Sequence, residues 1–226
     1  MKTEGPLRTK TWDVYQQLLK TYGERPLQPR REPMHELIST MLSHRTTHDN
    51  EEMAYRRMRE RFGSWEAIRD APVEALSEAI STATFPEAKA PNIQQALAQI
   101  IAEGEEASLE LLRDMPAEEG LAWLMALPGV GIKTASLVLL FCFSKPLLPV
   151  DTHVHRVSQR LGLIGPKVSA NTAHKLLLDL LPQDPHVLYN FHVTMLRHGQ
   201  RLCLWGTPHC ERCPLRERCD WYAAHY

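Results

Sequence analysis

Four of the five cysteines lie within residues 203–219, with the spacing C-x6-C-x2-C-x5-C. Four thiolates so close together form a ligand set for either Zn²⁺ or an iron–sulfur cluster, and disulfides are not expected in a reducing compartment. A structural zinc site commonly pairs two CxxC motifs, whereas this stretch contains one. The spacing therefore favours a cluster and leaves zinc as the alternative; the four candidate ligands are Cys203, Cys210, Cys213 and Cys219.

The segment 127–131 reads LPGVG and is followed closely by Lys133. Its two glycines allow a tight turn, and the N–H groups of a following helix would suit a phosphate. A plain corner between two helices is the alternative. A lysine in a first helical turn opposes the helix dipole, so we interpret Lys133 as a candidate nucleophile that becomes partly neutral when desolvated. A side chain that simply reaches water is the alternative.

Asp151 opens the sequence DTHVHR at residues 151–156 and is suited to cap the helix that follows. Beside an amine, the same carboxylate could act as a general base or as an electrostatic partner. His153, His155 and Arg156 are candidates for phosphate contact, although the last two would equally suit a solvated surface.

Apolar residues recur at helical spacing along most of the chain, and no strand-length stretch alternates convincingly. The sequence therefore predicts an all-α protein. The run 135–143 is apolar nearly all round, which predicts a central buried helix. Cys142, within this run, is interpreted as a core thiol.

The 226 residues are 43% hydrophobic and 23% charged, with a formal net charge of −1. This composition excludes collagen-like and disordered chains. Acidic residues are concentrated in 103–119 and arginines in 197–218, so we expect one acidic and one basic face, with two solvated faces that bind nothing as the alternative. No apolar run is long enough to span a membrane, and residues 1–10 lack a secretory or transit pattern. We expect a cytoplasmic protein.

Together these motifs resemble the endonuclease III branch of the helix-hairpin-helix DNA glycosylases. The resemblance rests on LPGVGIKTA at 127–135, VDTHVHRV at 150–157, HG at 198–199 and the four-cysteine stretch, with a weaker match of ELISTMLSHRTT at 36–47. It extends from about Glu36 to Asp220.

The resemblance implies a two-lobed all-α fold. A six-helix barrel domain would span residues 33–133, and residues 1–32 with 134–226 would form a discontinuous iron–sulfur cluster domain. The implied cofactors are a [4Fe–4S] cluster, with no redox step in strand cleavage, and Na⁺ or K⁺ at the hairpin. The implied partner is double-stranded DNA containing damaged bases. We expect a nucleoid-associated monomer that does not interact with membranes.

The resemblance also implies a bifunctional DNA N-glycosylase with abasic-site lyase activity in base excision repair. The damaged nucleotide would be flipped out of the duplex. Lys133 would attack the sugar C1′ and form a Schiff base, Asp151 would assist, and β-elimination would then nick the strand. Oxidised pyrimidines are the implied substrates.

Some positions depart from the pattern of the family. His44-Arg45 occupies a loop where many relatives have a Gln, Phe85 lies where relatives have a Gly-Leu wedge, and Ile132 replaces a common basic residue. Excision of mispaired adenine or of a deaminated pyrimidine, and a non-catalytic damage-binding paralogue, are therefore the alternatives. The implied DNA-contacting residues are Leu127, Gly129, Val130, Gly131, Arg45, Phe85, His153, Arg212 and Arg216, with Arg218 on the same surface.

Overall fold

The computed structural model describes residues 5–28, 31–104 and 106–226. Within these ranges the chain is helical and contains no β-strand, which confirms the all-α prediction. Three short 3₁₀ helices, Glu110–Arg113, Cys210–Arg212 and Arg216–Arg218, supplement the α-helices. In chain order these are α1 (Pro6–Tyr22), α2 (Pro33–Ser43), α3 (His48–Phe62), α4 (Trp65–Asp70), α5 (Val73–Ala79), α6 (Pro86–Glu103), α7 (Ala117–Met125), α8 (Ile132–Phe143), α9 (Thr152–Arg160), α10 (Ala170–Leu178), α11 (Pro185–Arg201) and α12 (Asp220–His225).

The chain divides into two compact units. One comprises residues 29–143, and the other comprises residues 1–28 together with 144–226. The sequence prediction places the boundary at residue 133, whereas helix α8 belongs wholly to the 29–143 unit, because α8 packs against α2 and α7 of that unit.

Helix α8 forms the centre of the 29–143 unit. Every residue from Thr134 to Phe143 is buried, as the apolar run predicts. Cys142 is 7% exposed among these side chains, and burial raises the pKa of its thiol to about 12. This confirms Cys142 as a core residue. Because burying one large apolar side chain contributes about 1.5–3 kcal/mol, α8 is a main source of the stability of its unit.

The other unit is organised around α9 and α11, which pack on each other. Helix α1 packs on α11, whereas α10 and α12 pack on α9. Phe191 of α11 and Leu18 of α1 are fully buried. These contacts join α1 to the helices of residues 144–226, which explains why the unit is discontinuous in sequence.

Capping residues mark several helix ends. The Ser64 hydroxyl accepts a hydrogen bond from Ala67 N at 3.1 Å at the start of α4, and Gly63 ends α3 with φ of 77°. A left-handed residue at this place favours glycine. In the described part of the chain, no helix combines the length and apolar character that a bilayer crossing requires.

Candidate active site and cluster-binding site

The predicted hairpin connects α7 to α8. Val130 N donates to Leu127 O at 3.1 Å, and the side chains of both residues are buried. Any DNA contact by these two residues would therefore use their backbone. Gly129 has φ of 77°, and Gly129 and Gly131 are exposed. The hairpin thus has its apolar side chains in the core and its glycine backbone at the surface, an arrangement that allows close approach of a phosphate.

Lys133 is the second residue of α8, directly after the hairpin, as the sequence predicts. Its side chain is half-buried, and Gly131 O accepts the first hydrogen bond of the helix from Ala135 N at 3.0 Å. The charge of Lys133 also reaches His44, whose pKa is lowered by burial and by the ammonium groups of Lys89 and Lys133. The amine therefore lies in the same electrostatic environment as the end of α2.

Asp151 is the N-cap of α9, as predicted. Its Oδ1 accepts a hydrogen bond from Val154 N at 2.7 Å. The carboxylate is half-buried, so part of it remains accessible to a substrate. Lys133 belongs to the 29–143 unit and Asp151 to the other unit.

Two buried histidines hold the backbone that leads to Asp151. Val150 N donates to His174 Nε2 at 3.1 Å, and His192 Nδ1 donates to Pro149 O at 2.9 Å. Because Nε2 of His174 accepts, its Nδ1 carries the proton and donates to Ala170 O at 2.8 Å. The hydrogen bond from Val150 N to His174 therefore requires a neutral imidazole. Burial lowers the pKa of His174, which favours that neutral form.

Arg156 is wrong as a candidate phosphate contact. The residue is 8% exposed, and its guanidinium donates to Gly199 O at 2.8 Å and to Cys203 O at 2.9 Å. It therefore ties α9 to the end of α11. His153 is half-buried with Nδ1 3.2 Å from Arg156 Nη2, and His155 Nε2 donates to Val168 O at 2.8 Å.

Arg45 and Phe85 lie on two adjacent loops, which we call the wedge loops (residues 44–47 and 82–85). The guanidinium carbon of Arg45 is 6.0 Å from the centre of the Phe85 ring, and the Phe85 residue is 55% exposed. The structure thus brings together the two residues that the sequence predicts, separately, to probe DNA.

The four cysteines of the C-x6-C-x2-C-x5-C stretch line one cavity. Its remaining wall includes the apolar side chains of Val157, Leu161 and Leu202. Among the described residues, no three His, Cys, Asp or Glu side chains are close enough together to hold a single metal ion. The four cysteines thus share one cavity.

The donor set of this cavity fits an iron–sulfur cluster. Arg160 Nη1 donates to Cys203 Sγ at 3.3 Å, and the backbone N–H of Leu215 donates to Cys213 Sγ. Burial raises the pKa of the Cys213 thiol to about 11, and a bound cationic centre would favour its thiolate form. Sulfur ligands with hydrogen bonds from the surrounding backbone are the usual environment of such clusters.

Arg212 and Arg216 are exposed beside the cysteines, where the sequence predicts a phosphate-binding surface. Arg212 Nε is 3.6 Å from Glu211, and both side chains are largely exposed. An exposed pair of this kind is weak and leaves the arginine available to a phosphate. Arg218, in contrast, lies 4.0 Å from Asp13 of α1.

Sequence reasoning missed Lys89 and His174. Lys89 is 8% exposed and His174 is 5% exposed, and each holds backbone groups from a distant part of its unit. Neither lies in a recognisable motif. Lys89 lies among the apolar residues that α6 buries, such as Ala90 and Ile93, and this is a pattern that sequence spacing alone does not distinguish from an exposed lysine.

Several known proteins are similar to this chain over most of its length. The family described as "HhH-GPD superfamily base excision DNA repair protein" matches residues 38–183. Endonuclease III of Thermotoga maritima is 35% identical over 191 residues, which cover 84% of this chain and 84% of that protein. Endonuclease III of Rickettsia prowazekii is 33% identical and covers 82% of each chain.

Among solved structures, a trapped endonuclease III–DNA covalent intermediate is similar in fold. Its TM-score is 0.81 at 28% identity, and the match covers 96% of this chain and 97% of that one. Each of these matches covers most of this chain and most of the other protein.

Proposed function

The chain belongs to the HhH-GPD superfamily of base excision DNA repair proteins, and we propose that it is a DNA N-glycosylase and abasic-site lyase that acts on double-stranded DNA. The observation that supports this best is the position of Lys133, half-buried in the first turn of α8 and directly after a hairpin whose two glycines are exposed. That position suits an amine that acts next to a bound phosphate.

The reaction begins with extrusion of the damaged nucleotide, because its glycosidic bond is unreachable while the base is stacked. The hairpin backbone and the first N–H groups of α8 would bind a phosphate near the lesion. Arg45 and Phe85 on the wedge loops would enter the space left in the duplex. On the basic surface, Arg212 and Arg216 would bind a more distant phosphate.

The chemical step needs a neutral amine at Lys133. Its Nζ attacks C1′ as the bond from C1′ to the base breaks, and the base leaves with the bonding electrons and takes up a proton. The amine passes one proton to Asp151 as the adduct forms, and O4′ takes up a proton as the sugar ring opens to a protonated Schiff base. Loss of a C2′ proton then expels the 3′ phosphate and nicks the strand.

Asp151 has two tasks in this proposal. Its carboxylate stabilises the positive charge that develops on the sugar and accepts or relays protons. The hydrogen bond from Val154 N and the two buried histidines fix the carboxylate at the start of α9. Because all of these contacts come from the protein itself, the carboxylate would need little reorganisation at the moment of reaction.

The four cysteines would hold a [4Fe–4S] cluster, and zinc remains the alternative for the same thiols. When bound, the cluster supplies structural cross-linking of residues 203–219 rather than a step in base removal. The same stretch of chain presents Arg212 and Arg216 on the surface beside the cavity.

Two further parts of the proposal concern the other unit. Helices α2–α7 would form a barrel domain within residues 33–133, and the hairpin carbonyls would bind Na⁺ or K⁺.

Oxidised pyrimidines are the proposed substrates, supported by the similarity to two proteins named endonuclease III. A second candidate, excision of another base such as mispaired adenine or a deaminated pyrimidine, is favoured by the wedge loops. These loops carry Arg45 and Phe85 where the wider family pattern differs. A panel of duplexes, each with one lesion, separates the two candidates by which base is released.

Borohydride trapping tests the lysine. Wild-type protein incubated with lesion-bearing duplex and borohydride should form a covalent complex, and Lys133→Ala should form none because no Schiff base is available for reduction. Lys175→Ala is a matched control, since the Lys175 side chain is 83% exposed on α10 and its complex should be unchanged. Trapping that persists in Lys133→Ala would exclude this amine as the nucleophile.

Asp151→Asn separates chemistry from capping. Asparagine caps helices as well as aspartate does, so the free energy of unfolding should stay within about 0.5 kcal/mol of wild type. Base release under single-turnover conditions should nevertheless fall by about 100-fold or more. A loss of rate that is fully explained by a loss of folded protein would mean that Asp151 acts only as a cap.

The wild-type protein itself tests whether the chain is an enzyme. If it releases no base from any duplex but still binds DNA, the result would support a non-catalytic damage-binding protein instead.

A further inference from the structure

Lys89 is a buried lysine that the proposed chemistry does not use. It lies in the first turn and a half of α6 and is 8% exposed. Its ammonium donates to Leu42 O at 2.6 Å, to His44 O at 2.9 Å and to Thr46 Oγ1 at 3.0 Å. An ammonium group has three donors, so all of them are used on oxygen atoms at the end of α2 and in the loop that follows it.

Thr46 extends this arrangement to the second loop. Its hydroxyl accepts from Lys89 Nζ and from Thr84 N, the latter at 3.0 Å, and it donates to His44 O at 3.2 Å. Thr84 Oγ1 in turn donates to Arg45 O at 2.9 Å. Each of the two wedge loops is therefore hydrogen-bonded to the other, and the hydroxyl of Thr46 uses its donor and both of its acceptor sites.

The backbone at Arg45 and Phe85 explains why such bonds are needed. Both residues have left-handed backbones, with φ of 56° at Arg45 and 59° at Phe85. Side chains other than glycine rarely adopt this region, and a bulky residue does so only where its surroundings hold it there. Phe85 is also joined to Lys89 directly, because Phe85 O accepts from Lys89 N at 3.1 Å.

We propose that Lys89 is a positioning residue that locks the two wedge loops into one pre-formed surface, so that Arg45 and Phe85 enter the duplex without first being ordered. This inference rests on the proposed function. Lys89 touches neither the sugar nor the base, and acts through the two residues that would replace the extruded nucleotide. Burial lowers the pKa of Lys89 to about 8, which agrees with an ammonium held by neutral oxygen atoms.

The proposal has a specific consequence for substrates. A locked wedge assists most when the base must be pulled from a stable pair, and least when no base has to be extruded. Loss of Lys89 should therefore slow excision of a paired lesion more than excision of a mismatched lesion. Cleavage at a pre-formed abasic site should change least.

Lys89→Met is the first test, because methionine is of similar length and lacks donors. Under single-turnover conditions we expect the rate on a paired lesion to fall by about tenfold or more and the rate at an abasic site to fall by less than about threefold. The fluorescence of a 2-aminopurine base placed next to the lesion should report slower unstacking in this variant than in the wild type. Lys175→Met, with its exposed side chain, is the matched control and should leave all three rates unchanged.

Thr46→Val provides a second variant in case Lys89→Met does not fold. Valine keeps the shape of threonine and removes the hydroxyl that joins the loops, so the same order of losses should appear. If Lys89 acts through Phe85, the double variant Lys89→Met/Phe85→Ala should be no slower than Phe85→Ala alone, because the two changes remove one shared effect.

Two outcomes would contradict the positioning role of Lys89. Equal proportional losses on paired, mismatched and abasic substrates, in either Lys89→Met or Thr46→Val, would overturn the positioning role and leave Lys89 as a structural residue. Unchanged rates on the paired lesion would overturn it as well. A wild-type protein that releases no base would instead overturn the proposed function, so the two failures are distinguishable.

Discussion

Several buried polar side chains of this protein hold backbone segments rather than one another. Lys89 bonds to Leu42 O and His44 O, and His174 accepts from Val150 N. Such bonds matter because a buried N–H group or carbonyl without a partner costs about 1–3 kcal/mol. In both cases the segment held in this way leads directly to a residue with a proposed role, Arg45 or Asp151.

His174 predicts a pH dependence of stability. Burial lowers its pKa below the usual 6.5, and this effect outweighs the backbone hydrogen bonds at Ala170 and Asn171, which act to raise the pKa. Between the folded and unfolded pKa values the unfolded state binds more protons, so this contribution is complete above pH 6.5 and is lost as the pH falls. A single such group gives at most about 1.4 kcal/mol per pH unit.

His174→Gln should therefore flatten the fall in the free energy of unfolding below pH 6.5, as measured by urea titration at several pH values. The glutamine amide can still accept from Val150 N. His174→Leu cannot, and should be destabilised by about 1–3 kcal/mol even at pH 8. His35 and His44 are present in both proteins and so contribute equally to their pH dependence. If the free energy of unfolding has the same pH dependence in wild type and His174→Gln, the assignment of a neutral imidazole to His174 is contradicted.

The hairpin between α7 and α8 combines two glycines with different structural demands. Gly129 has φ of 77°, and a Cβ at this position would lie 3.0 Å from Asn92 Cβ of α6. Gly131 faces open space, with no atom within 4 Å of an added Cβ. The first glycine is therefore required by the fold, whereas the second is free of steric demand from its own chain.

Gly129→Ala should lower the free energy of unfolding by about 1–2 kcal/mol, because alanine is strained in the left-handed region and its methyl group meets Asn92. Gly131→Ala should leave stability within about 0.5 kcal/mol of wild type. If a phosphate approaches the Gly131 backbone, the same methyl group should weaken binding of duplex DNA by about tenfold, or about 1.4 kcal/mol. Unfolding curves and fluorescence anisotropy measure the two effects, and unchanged DNA binding by Gly131→Ala would argue against the phosphate site.

Each of the two compact units has its own source of order. The 29–143 unit is built around the buried helix α8, whereas residues 203–219 of the other unit contain only short 3₁₀ helices around the cysteine-lined cavity. A bound metal centre would supply the order that these residues lack from helix packing, because metal binding is coupled to folding of the ligand segment.

Removal of iron from the purified protein should therefore increase amide hydrogen exchange in residues 203–219 and leave α2–α8 nearly unchanged. Cys213→Ser should lose the broad visible absorption of an iron–sulfur chromophore. The matched control is Cys142→Ala, which removes a core thiol outside the ligand set and should keep its iron. Zinc without iron in the wild-type protein would reverse the choice between the two metal centres.

The sequence predicted features that depend on neighbouring residues. The helical class, the buried α8 run, the cap at Asp151, the hairpin and the position of Lys133 all follow from spacing within short segments, and the structure confirms each local assignment. Spacing also indicated the four-cysteine stretch, and the comparisons establish the family to which these motifs point. The roles of the individual site residues remain predictions.

Only the tertiary structure decided which distant residues meet. Lys89 contacts residues 42–46, His174 contacts Val150, and Arg156 turns inward to Gly199 and Cys203 rather than outward to a phosphate. Such bonds depend on how helices pack, and a lysine, histidine or arginine has the same local pattern whether its end reaches water or a carbonyl. For this reason the sequence identified the chemical groups of the site, whereas the packing of the helices determined how those groups are held.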